Sequence, residues 1–245
     1  MVFDPGRPVR LPSHRWFPVA VAAVAIWATL PRALAVDAIT FDGSPTIYLP
    51  LTETARRLGW RVERDKKKGT VKLNGVVIPP KTGSRAFYGA SLIPVPLLAD
   101  AGAVILPGDA PGELQVWSWT RHFTVTVAPK RVEVSLKRQQ LRAWQGNRLI
   151  LQTNISSGRS GRSTPAGEFK AGPDKERMHY SRLFNNAPMP WAVQINGHVF
   201  IHGFTSVPSY PASHGCIRMP LSGKNAARCF YEWVDRGTPV SVSRG

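Results

Sequence analysis

Short stretches in which apolar and polar residues alternate, separated by glycine and proline turns, follow one another after about residue 130 and restrict this part of the chain to β structure. Val132, Val134 and Leu136 alternate with polar neighbours, and 145–147 (Gln-Gly-Asn) fits a hairpin turn. The 22 prolines disfavour long helices. We therefore expect a mainly β fold with a few short helices, one of them late, at about 223–234.

Residues 37–127 contain a weak internal duplication in which each copy reads as strand, short helix and strand. In the first copy the strand, helix and strand are 47–51, 53–59 and 69–73. In the second copy they are 92–97, 98–102 and 112–116. Gly59 and Gly102 end the helices, as a left-handed C-cap requires. A length of 245 residues favours two small domains. We expect a small α+β repeat-like domain at 36–128 and a β-rich domain at 129–245.

The first 35 residues have the pattern of a targeting segment. Arg7, Arg10 and Arg15 precede an apolar run at 17–30, and Ala33-Leu34-Ala35 offers an A-x-A cleavage pattern. The run is shorter than the roughly 20 residues that span a bilayer. We expect a cleaved signal peptide, with an uncleaved membrane anchor as the alternative. Either predicts an exported protein of the periplasm or cell envelope.

A net charge of +17 predicts an anionic partner. Export argues against nucleic acid and favours an anionic surface such as cell wall, with membrane contact only through a retained N-terminal segment. An effect on solubility alone stays open. The chain has two cysteines, Cys216 and Cys229. A disulfide between them would silence Cys216, but Cys229 fits a small buried thiol on the late helix, so we expect both to be free.

The heptad 213–219 (Ser-His-Gly-Cys-Ile-Arg-Met) and an earlier His202-Gly203 supply the parts of a cysteine nucleophile. A histidine can deprotonate Cys216 and return the proton, and nearby positive charge is expected to lower the pKa of the thiol. A short loop brings His202 beside Cys216, and the Gly203 carbonyl could orient the imidazole. The N–H groups of Gly215 and Cys216 could hold an oxyanion.

Arg218 of the heptad and the pair of His198 and His202 each have an alternative interpretation. Arg218 suits a substrate carboxylate or a structural ion pair. His198 and His202 would form a metal pair on a helix, but the apolar residues between them favour a strand. On a strand these positions lie about 13 Å apart, which argues against a zinc site with Cys216. We expect no metal and no cofactor.

The pattern 201–203 followed by 213–219 resembles the catalytic signature of the L,D-transpeptidases, and 156–159, 163–169 and 232–240 support it over about 130–243. The resemblance implies a β-rich catalytic fold without cofactors. It also implies that Cys216 attacks a peptidoglycan stem tetrapeptide, releases D-alanine and passes the acyl group to an amine, forming a 3–3 cross-link or a protein attachment. His202 would be the base, and Gly203 would orient it.

Further substrate contacts are expected around the nucleophile. The candidate oxyanion and substrate-binding residues are Ser213, His214, Gly215, Arg218, Tyr180 and Trp191. The segment 170–190 is expected to cover the cleft, with an ordinary surface loop as the alternative.

Residues 37–127 resemble the stalk-like repeat domain at the N-terminus of copper amine oxidases. The resemblance rests on the proline-leucine helix start and on Leu58-Gly59-Trp60 before a strand pair. It implies a structural or wall-docking module without copper chemistry. Two other functions stay open for the whole chain: a wall-peptide hydrolase on the same fold, and a non-catalytic envelope-binding protein. Formation of an adduct with a carbapenem, which is an acylating mimic, would separate the enzymes from the binding protein.

Overall fold

The computed structural model describes residues 35–245, except 66, 68, 80–82 and 120. The targeting segment expected at 1–35 therefore lies outside the described residues, apart from its last position. Within the described part of the chain, no helix is both long and apolar enough to cross a bilayer.

Strands dominate the described residues, which confirms the mainly β fold with a few short helices. The α-helices are α1 (Leu51–Leu58), α2 (Pro96–Asp100) and α3 (Ala226–Trp233), and a 3₁₀ turn spans Arg182–Phe184. The strands are β1 (Val36–Asp37), β2 (Tyr48–Pro50), β3 (Val62–Asp65), β4 (Thr70–Leu73), β5 (Val76–Ile78), β6 (Arg85–Phe87), β7 (Ala90–Pro94), β8 (Val104–Pro107), β9 (Glu113–Trp117), β10 (His122–Thr126), β11 (Lys130–Ser135), β12 (Gln140–Gln145), β13 (Arg148–Asn154), β14 (Gly167–Lys170), β15 (Lys175–Ser181), β16 (Ala187–Asn196), β17 (Val199–Phe204), β18 (Ile217–Pro220) and β19 (Pro239–Ser243).

The first part of the chain has the strand, helix, strand order that the duplication predicts. β2 leads into α1 and then β3 and β4, and β7 leads into α2 and then β8 and β9. β2 and β7 pair antiparallel, which joins the two copies. Gly59 ends α1 with φ +74°, as the left-handed C-cap requires.

The second part holds a five-stranded sheet in the order β13-β12-β11-β19-β14 and a four-stranded sheet in the order β15-β16-β17-β18. Helix α3 begins three residues after the expected start, because the Asn225 side chain caps it by accepting the Arg228 N–H at 3.1 Å. Phe230 and Trp233 of α3 are buried in the same core as Ile201 and Ile217 of the four-stranded sheet. The helix therefore supports the two strands that carry the candidate site.

The two parts of the chain share this core. Ile39, Phe41, Phe87 and Leu92 belong to one buried cluster with the apolar residues of the second part. Charged contacts cross the same boundary: Lys175 to Asp42 at 2.5 Å, Arg85 to Glu232 at 2.6 Å and Arg148 to Glu53 at 2.9 Å. The division at 128/129 stays a prediction from the sequence.

Candidate active site

Two adjacent parallel strands position the candidate nucleophile and base. β17 pairs with β18 so that Ile201 lies opposite Ile217 and His202 opposite Arg218. Cys216 comes immediately before β18, and alternate residues of a strand share a face. Cys216 and His202 therefore lie on the same face of the sheet, and both line one cavity of about 60 Å³.

His202 is held as a neutral imidazole with one free nitrogen. Its Nδ1 lies 2.9 Å from the Gly203 carbonyl oxygen, and because a carbonyl can only accept, Nδ1 carries the proton and Nε2 the lone pair. Burial, which leaves 4% of the residue exposed, lowers the pKa of His202 to about 4. A Cβ on Gly203 would collide with Leu221 and crowd Ala227 of α3, so the orienting carbonyl depends on a glycine.

The Cys216 thiol is in a resting position. It donates to the His198 carbonyl at 3.5 Å and packs against Met189, Ala192 and Phe200. Burial raises the pKa of the thiol, outweighing the opposing effects of the Phe200 backbone and the Arg218 charge. The neighbouring charge of Arg218 therefore acts in the expected direction, but desolvation is larger and the pKa of the thiol is raised overall.

Ser213 organises the loop before the nucleophile. Its Oγ donates to the Cys216 carbonyl at 2.5 Å and accepts the Gly215 N–H at 3.1 Å. The Gly215 N–H, expected to face an oxyanion, is thus already engaged. Thr164 Oγ1 donates to the Gly215 carbonyl at 2.8 Å, so a second segment fixes the same loop.

Arg218 and His214 lie at the mouth of the cavity. The Arg218 guanidinium lies 4.0 Å from the Phe204 ring centre and makes no ion pair with a carboxylate of the described residues. His214 is exposed, and its Nε2 lies 3.1 Å from Nη2 of Arg159. Neither side chain is tied to a structural carboxylate.

A hairpin of β15 and β16 covers the cavity, as expected for 170–190. At its tip, the Phe184 ring lies 4.8 Å from the His214 ring. Met189 lines this cavity and also a larger one of about 710 Å³, whose lining includes Asp174 and His198. Cys216 lines the smaller cavity, and its neighbours Met189, His198 and Phe200 line the larger one.

Two predicted substrate contacts are not brought to the cavity. Tyr180 is 55% exposed and does not line it. Trp191 has φ +57°, and its ring packs against Tyr231 of α3 at 5.5 Å. The sequence analysis missed Phe184, which lies in a 3₁₀ turn with no periodic pattern, and it gave no role to Arg159, although Arg159 lies in one of the supporting motifs.

Cys216 and Cys229 are both free, as expected. Among the described residues, no group of three or more histidine, cysteine, aspartate and glutamate side chains could hold a metal ion.

Comparison with known proteins finds a family model that matches the second half of the chain. Residues 129–242 match the YkuD family model, the L,D-transpeptidase catalytic domain. This part of the chain is therefore similar to an L,D-transpeptidase catalytic domain, of a family of cysteine enzymes. No comparison supports an identity for the N-terminal part, so its resemblance to a stalk domain stays a prediction.

Solved structures of the same family are similar to parts of this chain. An L,D-transpeptidase (Yku) from Stackebrandtia nassauensis is 27% identical over 47% of this chain and 55% of its own, with a TM-score of 0.43. The L,D-transpeptidase from Xylanimonas cellulosilytica is 30% identical over 48% of this chain and 62% of its own, with a TM-score of 0.41. The chain thus spans less than two thirds of either protein.

An L,D-transpeptidase from Mycobacterium smegmatis is 15% identical over 87% of this chain and 96% of its own, with a TM-score of 0.42. The search of curated proteins found no match to the chain.

Proposed function

We propose that this protein is an exported L,D-transpeptidase that acts on peptidoglycan stem tetrapeptides. The observation that carries the proposal is the shared cavity of Cys216 and His202 on adjacent strands within the matched catalytic domain. The net charge of +17 fits attraction to the anionic cell wall and to the free carboxylates of stem peptides. The 1–35 segment would direct the chain to the periplasm or cell envelope.

Acylation begins with rotation of the thiol away from the His198 carbonyl. His202 Nε2 accepts the thiol proton while the sulfur attacks the carbonyl that joins the diamino acid to the terminal D-alanine. The C–S bond forms, and collapse of the tetrahedral intermediate breaks the C–N bond. His202 then returns its proton to the nitrogen of the departing D-alanine. The Gly203 carbonyl keeps the imidazole in the tautomer that this transfer needs.

Deacylation reverses the proton path with a new nucleophile. An acceptor amine enters from the larger cavity and attacks the thioester, His202 takes its proton, and the proton returns to the sulfur as the C–S bond breaks. Water in place of the amine would make the protein a hydrolase. The volume of the larger cavity, about 710 Å³, favours an acceptor larger than water.

The test is product analysis of the full chain with a disaccharide-tetrapeptide. Cross-linked dimers with released D-alanine are the expected result, and tripeptides alone would establish the hydrolase. Cys216→Ala should abolish both products, whereas Cys229→Ala, which removes the other free thiol, should retain them. If the folded wild-type protein forms neither product, the proposal is wrong and a binding protein is favoured.

A further inference from the structure

Three arginine side chains gather around His214 at the mouth of the cavity. Arg159 contacts His214 directly at 3.1 Å, and the guanidinium of Arg162 lies 5.6 Å from the Phe184 ring, which itself contacts His214. Arg218 lines the cavity. Desolvation and the charges of these three arginines together lower the pKa of His214. We call Arg159, Arg162 and Arg218 the arginine cluster.

The arginine cluster has no anionic partner among the residues that the structure describes. Other arginines of the chain are paired: Arg148 with Glu53, and Arg85 and Arg228 with Glu232. No aspartate or glutamate lines the smaller cavity, where Arg218 is the charged residue, whereas Asp174, Glu176 and Arg182 line the larger one, two negative charges against one positive. The environment is therefore cationic at the smaller cavity and weakly anionic at the larger one.

The backbone that carries two of these arginines is fixed to the nucleophile loop. The Arg159 N–H donates to the Ser213 carbonyl at 3.1 Å, and the Arg162 N–H donates to the Arg159 carbonyl at 2.9 Å. A Cβ on Gly158 would overlap the Arg162 carbonyl oxygen, so the turn closes only around a glycine. The backbone from which both guanidinium groups extend is thus anchored beside the site, and the two side chains are exposed to solvent.

We propose that Arg159 and Arg162, together with Arg218, form a subsite for a carboxylate of the donor stem peptide, and that they make the protein select donors whose diamino acid carries a free carboxylate over donors carrying a carboxamide. This inference rests on the proposed function. A guanidinium forms bidentate, charge-assisted hydrogen bonds with a carboxylate, and a carboxamide of the same shape lacks the charge and one acceptor. Binding of the donor places its reacting carbonyl on the cationic side of the thiol and leaves the side of Asp174 and Glu176 to the acceptor ammonium group.

The experiment compares two disaccharide-tetrapeptide donors that differ only in carboxylate or carboxamide at the diamino acid. D-alanine release by the full-length protein should show kcat/KM at least about tenfold higher for the carboxylate. In Arg159→Gln/Arg162→Gln the preference should fall to within about threefold, through a higher KM for the carboxylate donor and a nearly unchanged kcat. Arg64→Gln, which removes an exposed charge on β3, should keep the wild-type preference.

The ratio of kcat/KM for the two donors is measured on the wild-type protein, so a folding defect in the double variant does not affect it. Equal kcat/KM for both donors would overturn the subsite while leaving the proposed function intact. If no donor is processed, the proposed function fails, and calorimetry of the same two donors with Cys216→Ala then decides the subsite alone. About tenfold tighter binding of the carboxylate donor supports the subsite if Arg159→Gln/Arg162→Gln, added to Cys216→Ala, removes the difference. Equal binding of the two donors overturns it.

Discussion

At the scale of single residues, burial decides the protonation of both reacting groups. Burial lowers the pKa of His202 to about 4 and raises that of Cys216 from an ordinary value of 9.0, so the pair is neutral at pH 7. No thiolate and imidazolium ion pair exists at rest, and sulfur becomes nucleophilic only as His202 takes its proton. A neutral thiol also resists oxidation better than a thiolate does.

Titration tests this neutral pair. In a Cys229→Ala background, the ultraviolet absorbance of a thiolate should rise only above about pH 9, and acylation should be nearly constant from about pH 5 to about pH 8. Below that range acylation should fall as His202 gains a proton, because the imidazolium has no lone pair to accept another. A thiolate that titrates below about pH 7, in the manner of a charge-stabilised cysteine, would contradict the account.

The proximity of Cys216 and His202 could be predicted from the sequence, but their protonation could not. The heptad 213–219 and His202-Gly203 are local patterns with a known chemical use. The burial of His202 comes from residues distant in the chain, including those of the β15–β16 hairpin that line the same cavity, and no local pattern encodes that desolvation. Gly215 shows the same limit of sequence-based prediction. Its N–H donates to the Ser213 hydroxyl, and the sequence does not reveal the rotamer that places this hydroxyl there.

At the scale of elements, the β15–β16 hairpin lines one side of the cavity that contains Cys216. Its tip places Phe184 against His214, beside a cavity of about 60 Å³ that is partly open to solvent. We therefore expect the tip to open further when a stem peptide binds. The aromatic contact that holds it is worth on the order of 1 kcal/mol, which permits such an opening.

Replacing Phe184 should expose the nucleophile. In a Cys229→Ala background, Phe184→Ala should increase the rate at which neutral iodoacetamide alkylates Cys216, by about threefold to tenfold, because the ring no longer holds the tip on His214. Tyr180→Ala removes an exposed ring from the same hairpin outside the cavity and serves as the control. Equal rates for the two variants would show that Phe184 does not close the site.

The covering hairpin is predictable from the sequence, but the residues that face the cavity are not. Tyr180 and Trp191 are the obvious aromatic candidates in and beside 170–190. The positive φ of Trp191 and its packing on α3 depend on tertiary structure, so neither can be read from the alternation of residues along a strand.

At the scale of the whole molecule, residues 36–128 support the catalytic half directly. Phe41 is 4% exposed, its ring lies 4.8 Å from that of Phe87, and both belong to the core that contains Trp233. Lys175, at the base of the covering hairpin, pairs with Asp42 across 133 positions of sequence. The sequence predicts two segments, but it cannot reveal such long-range contacts.

Truncating Phe41 should therefore destabilise the catalytic half. Phe41→Ala should lower the free energy of unfolding by about 3 to 5 kcal/mol. Both parts of the chain, α3 included, should still unfold in one calorimetric transition, at a lower temperature. Val77→Ala, at a half-exposed position on β5, should change it by less than about 0.5 kcal/mol. A separate early transition, with the second half unchanged, would mean that the two parts fold independently.

Intact-protein mass spectrometry after incubation with a carbapenem tests most directly whether Cys216 is the nucleophile. The account predicts a single adduct at neutral pH, mapped to the peptide of Cys216, absent in Cys216→Ser and retained in Cys229→Ala. An adduct on Cys229 would contradict this assignment of the nucleophile. The absence of any adduct on the folded protein would also contradict it, provided that both thiols react fully once the protein is denatured.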